Sequence, residues 1–175
     1  FLMLLKIIGS MLVIGGSCVI GFTLSAGYSK RPIQLKILQS LIQMLENEIR
    51  FMSSIITDAF ERIGRSSDNP VASFFTTTLE YLKNEECINI AQAWERSINE
   101  NISKTALTKE DAEILISFGK MLGNSDIQGQ IKNIGFTLQQ LILQQQKAEE
   151  AKKKYDTMYK TLGILGGALA VILLI

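Results

Sequence analysis

Both ends of this chain are hydrocarbon. After Lys160 no side chain carries a charge, and before Lys30 only Lys6 does. All seventeen acids lie between Glu46 and Asp156, and seventeen of the eighteen bases lie between Lys30 and Lys160. The uncharged run from Ile7 to Ser29 is 23 residues, which as a helix is roughly 34 Å, against a bilayer core of about 30 Å. It reads as an N-terminal transmembrane helix over residues 1–29. A cleaved signal peptide is the rival, but its apolar region is usually about 7–15 residues.

The closing run, Thr161 to Ile175, is 15 residues, only about 22 Å of helix. Lys160 can snorkel, and Tyr155 and Tyr159 can sit among headgroups, which extends its reach. Residues 161–175 therefore read as a C-terminal membrane helix, and residues 30–160 as a soluble domain between two anchors. Lys30, Arg31 and Lys36 follow the first run, and Lys147, Lys152, Lys153, Lys154 and Lys160 precede the second. Bases near span ends stay in the cytoplasm, so the domain is expected there. Its centre is acidic: Ile37 to Gln146 holds nine bases and fourteen acids, nine minus fourteen being −5. Repulsion from anionic lipid explains this, and so does an acidic docking face for a basic partner.

The middle has helical periodicity. Pro32 suits a helix start. From there Leu35, Leu38, Ile42, Leu45, Ile49, Met52, Ile56, Ala59 and Ile63 step by three and four, predicting one long helix that Gly64 and "GRSSDNP" end. Asp68 or Asn69 then caps a helix with Pro70 at its first position and Phe74, Phe75, Leu79 and Leu82 inside. Another helix over about Ile88–Ile102 carries Ala91, Trp94 and Ile98 on one face. Thr108 with Asp111 resembles a capping box ahead of Leu115 and Phe118, and Gly123 is a helix stop. Asn124 or Ser125 starts the last helix, whose stripe is Ile127, Ile131, Ile134, Leu138, Leu141, Gln145, Ala148 and Lys152. Nothing breaks it before the C-terminal run, so one helix of about 50 residues can pass from bundle to bilayer. The fold class is all-α: an antiparallel bundle of about five soluble helices flanked by two membrane helices.

Catalytic chemistry finds little support. The chain has no histidine, which removes the commonest general base and metal ligand. Cys18 and Cys87 make no metal or redox spacing. The glycine-rich runs "GGSCVIG" and "GILGGAL" lack the Lys-Ser/Thr of a phosphate loop. Glu110, Asp111 and Glu113 fall in a first helical turn, where the helix dipole favours acids. With Glu46 and Glu48 they are the candidates for binding a partner. No basic stripe suited to nucleic acid occurs, and no cofactor is implied.

Several short pieces then fall into a known order. "RPIQ" at Arg31–Gln34, "LENEI" at Leu45–Ile49, "AWE" at Ala93–Glu95, "FGKMLGNSDIQGQ" at Phe118–Gln130 and the closing "LGILGGALAVILLI" together resemble the stage III sporulation protein AB family. The motif positions are Arg31, Pro32, Trp94, Phe118, Gly119, Leu122, Gly123, Asp126 and Gln130. The resemblance implies a soluble domain similar to the cytoplasmic helical domains of inner-membrane platform proteins of type II secretion and type IV pilus machines. It implies a non-enzymatic place in the channel between mother cell and forespore, in the membrane around the forespore, linking a cytoplasmic secretion-type ATPase to the rest. Gly119, Gly123, Asp126 and Gln130 would form a helix–loop–helix corner, with Asp126 capping the last helix. Platform proteins carry two such domains and this chain one, so two or more copies are implied. A membrane-tethered signalling adaptor, working through the long last helix, is the alternative.

Overall fold

The computed structural model describes residues 16, 29–52, 56–84, 87, 89–123 and 126–174. The chain divides into two compact units, Arg31–Gln146 and a second made of Phe1–Lys30 with Lys147–Ile175. Among the described residues there are six α-helices and no strand. They are α1 (residues 29–47), α2 (Ile56–Arg65), α3 (Ser73–Lys83), α4 (Ile90–Asn101), α5 (Lys109–Met121) and α6 (Ile127–Leu174).

The single long helix expected over Leu35–Ile63 is two helices. α1 ends at residue 47, a π-helical turn spans Glu48–Met52, and α2 begins at Ile56. Arg62 donates to Glu48 at 2.5 and 3.1 Å, and the Ser66 hydroxyl lies 3.8 Å from the Met44 sulfur. Pairs that converge in this way, 48 with 62 and 44 with 66, require α2 to run back along α1. A heptad stripe cannot announce such a reversal. Leu35, Leu38, Ile42, Leu45 and Ile49 on one arm and Ala59 and Ile63 on the other bury equally well on a shared core. The helix count therefore exceeds the five expected. Pro32 is not the start either, since residues 29–31 are already helical. Gly64 does not end α2: it lies in the last turn, buried, where a Cβ would stand 2.5 Å from Thr76 Cγ2, so it admits α3 at close range.

The other boundaries follow local hydrogen-bonding rules. Asn69 Oδ1 accepts from the Val71 amide and caps a 3₁₀ turn, Pro70–Ala72, that leads into α3. Asn89 caps α4 through the Gln92 amide at 2.9 Å. Thr108 and Asp111 form both halves of the capping box of α5. Gly123, at φ 75°, stops α5 in the left-handed region that glycine favours. Asp126 caps α6, as the resemblance implied, its Oδ1 accepting from the Gly129 amide at 2.9 Å, while Asn124 and Ser125 lie outside the described residues. The α4 and α5 expectations hold closely, and α6 is continuous for 48 residues.

Within Arg31–Gln146, α2, α3, α4 and α5 pack each against the next. Trp94 is the centre of their core. Its ring meets Phe75, Phe60, Phe118 and Phe74 edge-on, at centroid distances of 5.0, 5.5, 5.9 and 6.5 Å. Its Nε1 donates to the Leu115 carbonyl at 2.7 Å, satisfying the one polar atom that so buried a ring carries. Gly119 answers to this ring, because a Cβ there would sit 2.2 Å from Trp94 Cδ1. The "AWE" and "FGKMLG" segments are thus two sides of one contact.

The inward stripe of α6 differs from the expected one. Ile134, Thr137, Leu141 and Gln144 are buried, whereas Leu138 and Gln145 are half-exposed and Ile127 is exposed. Two polar residues take inward places because each has a partner: the Thr137 hydroxyl returns to the Asn133 carbonyl, and Gln144 meets Arg31. In the second unit, Tyr155 and Tyr159 stack at 6.2 Å on successive turns of α6. The N-terminal anchor expected over residues 1–29 lies almost wholly outside the described residues. Among those described, no helix is long and apolar enough to cross a membrane.

Candidate functional site, a buried arginine clamp

Arg31, in the first described turns of α1, reaches into the bundle and joins three elements. Its Nε donates to Asp111 Oδ2 at 2.8 Å and its Nη2 to Asp111 Oδ1 at 2.9 Å, a two-pronged pairing that guanidinium geometry favours. The same Nη2 donates to Gln144 Oε1 on α6 at 3.0 Å and to Thr108 Oγ1 at 3.3 Å. Asp111 has a fully buried side chain and Arg31 a mostly buried one. The Thr108 amide also donates to Asp111 Oδ2, at 2.8 Å. One carboxylate therefore closes the α5 capping box and receives the α1 arginine.

Gln34, one turn along α1, completes the arrangement. Its Oε1 accepts from the Ala106 amide at 2.6 Å, in the segment entering α5. Gln39 donates to Gln145 at 2.8 Å and so sets α6 beside α1. The first and fourth letters of "RPIQ" are thereby accounted for, as Arg31 and Gln34 each hold the approach to α5. Pro32 between them is buried.

These groups tie α1, α5 and α6 together. Both Asp111 oxygens receive donors from within the chain, two on Oδ2 and one on Oδ1, and the side chain is fully buried. Among the described residues no group of three or more His, Cys, Asp or Glu is placed to hold a metal ion. Cys87 is a free thiol, buried and 8% exposed.

The five acids read as partner-binding candidates do not come together. Asp111 faces inward and is a member of the clamp, not of an exposed rim. Glu110 and Glu113 are exposed beside it on α5. Glu46 pairs with Arg50 at 2.6 Å, and Glu48 with Arg62 across the hairpin. That second pairing makes the Arg62 guanidinium hold its proton more tightly than usual. Since Asp111 touches Arg31 and Glu46 to Glu48 lie 15–17 residues further along α1, the two acidic groups are about 25 Å apart. They are two surfaces.

The glycine motif is structural in detail. Phe118 and Gly119 pack on Trp94, Leu122 is buried as the C-cap of α5, and Gly123 turns the chain. Asp126 starts α6, and Gln130 is half-buried one turn further on. Phe60, Gln34 and Gln144 are the residues that sequence reasoning missed. The only signal for Gln144 is an amide in a stripe that otherwise holds Ile134, Thr137, Leu141 and Ala148.

A family model described as stage III sporulation protein AB matches residues 6–175. Stage III sporulation protein AB of Bacillus subtilis (strain 168) is 30% identical over 171 residues, covering 98% of this chain and 99% of its own length. A solved structure of stage III sporulation protein AB, 29% identical, superimposes with a TM-score of 0.66, over 71% of this chain and 98% of that one. On fold, motif order and these matches together, the chain belongs to the stage III sporulation protein AB family.

Proposed function

We propose that this chain is a non-enzymatic platform in the channel between mother cell and forespore. It would be anchored in the mother-cell membrane around the forespore, with its helical unit in the cytoplasm. The observation that carries this reading is one folded helical unit, Arg31–Gln146, set between two uncharged apolar ends in a member of a sporulation family. The clamp fits it. Arg31, at the start of the unit, and Gln144, near its end, are held together by a hydrogen bond at 3.0 Å, which suits a rigid support.

The partners in this reading are other channel components, above all a cytoplasmic secretion-type ATPase, together with membrane lipid and one or more further copies of the chain. Glu110 and Glu113 are exposed on α5, where a basic docking surface would meet them, and Glu46 and Glu48 each pair with a neighbouring arginine. Catalysis, cofactor and nucleic acid have no place in it. The signalling-adaptor alternative draws on one feature, the unbroken α6 that leads from bundle to apolar end.

Cys87, the cysteine within Arg31–Gln146, gives the test of sidedness. Intact cells are treated with a membrane-impermeant maleimide, then permeabilised, with a denatured sample to control for burial. Labelling only after permeabilisation supports the platform. Labelling of intact cells removes the unit from any cytoplasmic ATPase and sinks the proposal. Recovery of the ATPase with the detergent-solubilised chain, and its loss on charge reversal of Glu110 and Glu113, tests the partner.

A further inference from the structure

The outward face of α6 is apolar and uncharged over its middle. Asn133 to Gln146 is fourteen residues without a charge. Within it Phe136, Leu143 and Ile142 are 60%, 57% and 44% exposed. Lys132, Phe136, Gln139, Leu143, Gln146 and Glu150 are all exposed and step by four and three, so they form one line along the helix. This line points away from the buried stripe of Ile134, Thr137, Leu141 and Gln144. Beside it stands Gly135, where a Cβ would meet nothing within 4 Å. A glycine inside a helix is destabilising relative to alanine, and among the described residues no neighbour calls for one here.

We infer that this seam is where α6 of one copy packs in parallel, in register, on α6 of a second copy. The pattern is self-complementary. Phe136 and Leu143 bury against their counterparts, and Gln139 and Gln146, each donor and acceptor, pair amide to amide and set the register. The central stretch has no charge and so no like-charge contact; the two that in-register pairing creates, Lys132 on Lys132 and Glu150 on Glu150, are confined to its exposed ends. Gly135 lets the second backbone approach. A seam this short buries an area at the low end for specific interfaces. Pairing therefore rests on the membrane anchoring proposed above, which holds copies in one plane and raises their effective concentration.

The test uses the full chain in bacterial membranes, with Cys18→Ser and Cys87→Ser as background. Cysteines are introduced singly at Gln139, Gln146 and, as a control on α4, Asn99. Mild oxidation should give a disulfide-linked dimer at Gln139→Cys and Gln146→Cys, about tenfold above Asn99→Cys. Phe136→Asp with Leu143→Asp should abolish both. Bands no stronger than the control overturn the inference. So does a cross-link at 139 without one at 146, because only an in-register parallel pair brings both positions together, and so does an adduct to a different protein. The same membranes are extracted with alkaline carbonate. Release of the chain refutes the anchoring and removes the basis of pairing, whereas retention without dimer refutes the pairing alone. Gln139, Gln146 and Asn99 are exposed, so Trp94 fluorescence in each cysteine variant should match that of the Cys18→Ser, Cys87→Ser background.

Discussion

Replacing Arg31 with methionine keeps most of the aliphatic stem and removes the guanidinium. Asp111 then loses two charge-assisted bonds, at 2.8 and 2.9 Å, while its side chain stays at 0% exposure. The Thr108 amide alone still donates to it. Breaking a buried pair on one side costs about 3–5 kcal/mol, because the remaining charge has neither water nor partner. Against a total stability of roughly 5–15 kcal/mol that is a large fraction. The assay is built in: Trp94 is the only tryptophan and is fully buried, so its fluorescence in mild detergent reports unfolding in urea. At a slope of about 1–3 kcal/mol per molar urea, the midpoint should fall by about 2 M. Adding Asp111→Asn removes the stranded charge but keeps an acceptor for Thr108, so the double variant should regain about 1–2 kcal/mol over Arg31→Met alone. A loss below about 1 kcal/mol, the worth of an exposed pair, would refute the clamp. Strict additivity of the two changes would refute it too.

Gly119→Ala should cost about 1–3 kcal/mol by overpacking, since its Cβ falls 2.2 Å from Trp94 Cδ1, and should red-shift Trp94 emission. Gly135→Ala, where a Cβ meets nothing, should instead stabilise the detergent-solubilised monomer by up to about 1 kcal/mol in the same urea titration. Gly123→Ala places a side chain at φ 75° and should cost about 1–2 kcal/mol, read as a lower urea midpoint. Glu48→Gln severs a surface pair with Arg62 and should move the urea midpoint only slightly, an effect that fades as salt is added.

Much of the fold was legible from local chemistry. Thr108 with Asp111, Asn69 before Pro70, and Gly123 after the α5 stripe each obey a rule confined to three or four neighbouring residues. The helices they bound appear where expected. Where several local solutions share one pattern, legibility ends. Leu35 to Ile63 reads equally well as one long helix or as a hairpin. Of the candidate site, Asp111 and Arg31 were each singled out, but for separate reasons and with separate roles.

What the sequence determined by itself is helical class, the capped helix ends at Asn69, Thr108 and Gly123, and the segregation of charge from two apolar termini. These depend on side chains acting on their own backbone or on composition over a run of residues. The tertiary structure alone decided that Arg31 meets Asp111, that Gly119 exists for Trp94, and that Gln144 faces inward. Those contacts join positions 80, 25 and 113 residues apart (111 minus 31, 119 minus 94, 144 minus 31). No periodicity in a single chain encodes which of many buried stripes will face one another. A buried charge or an inward amide is tolerated only once packing has brought its partner within hydrogen-bonding distance.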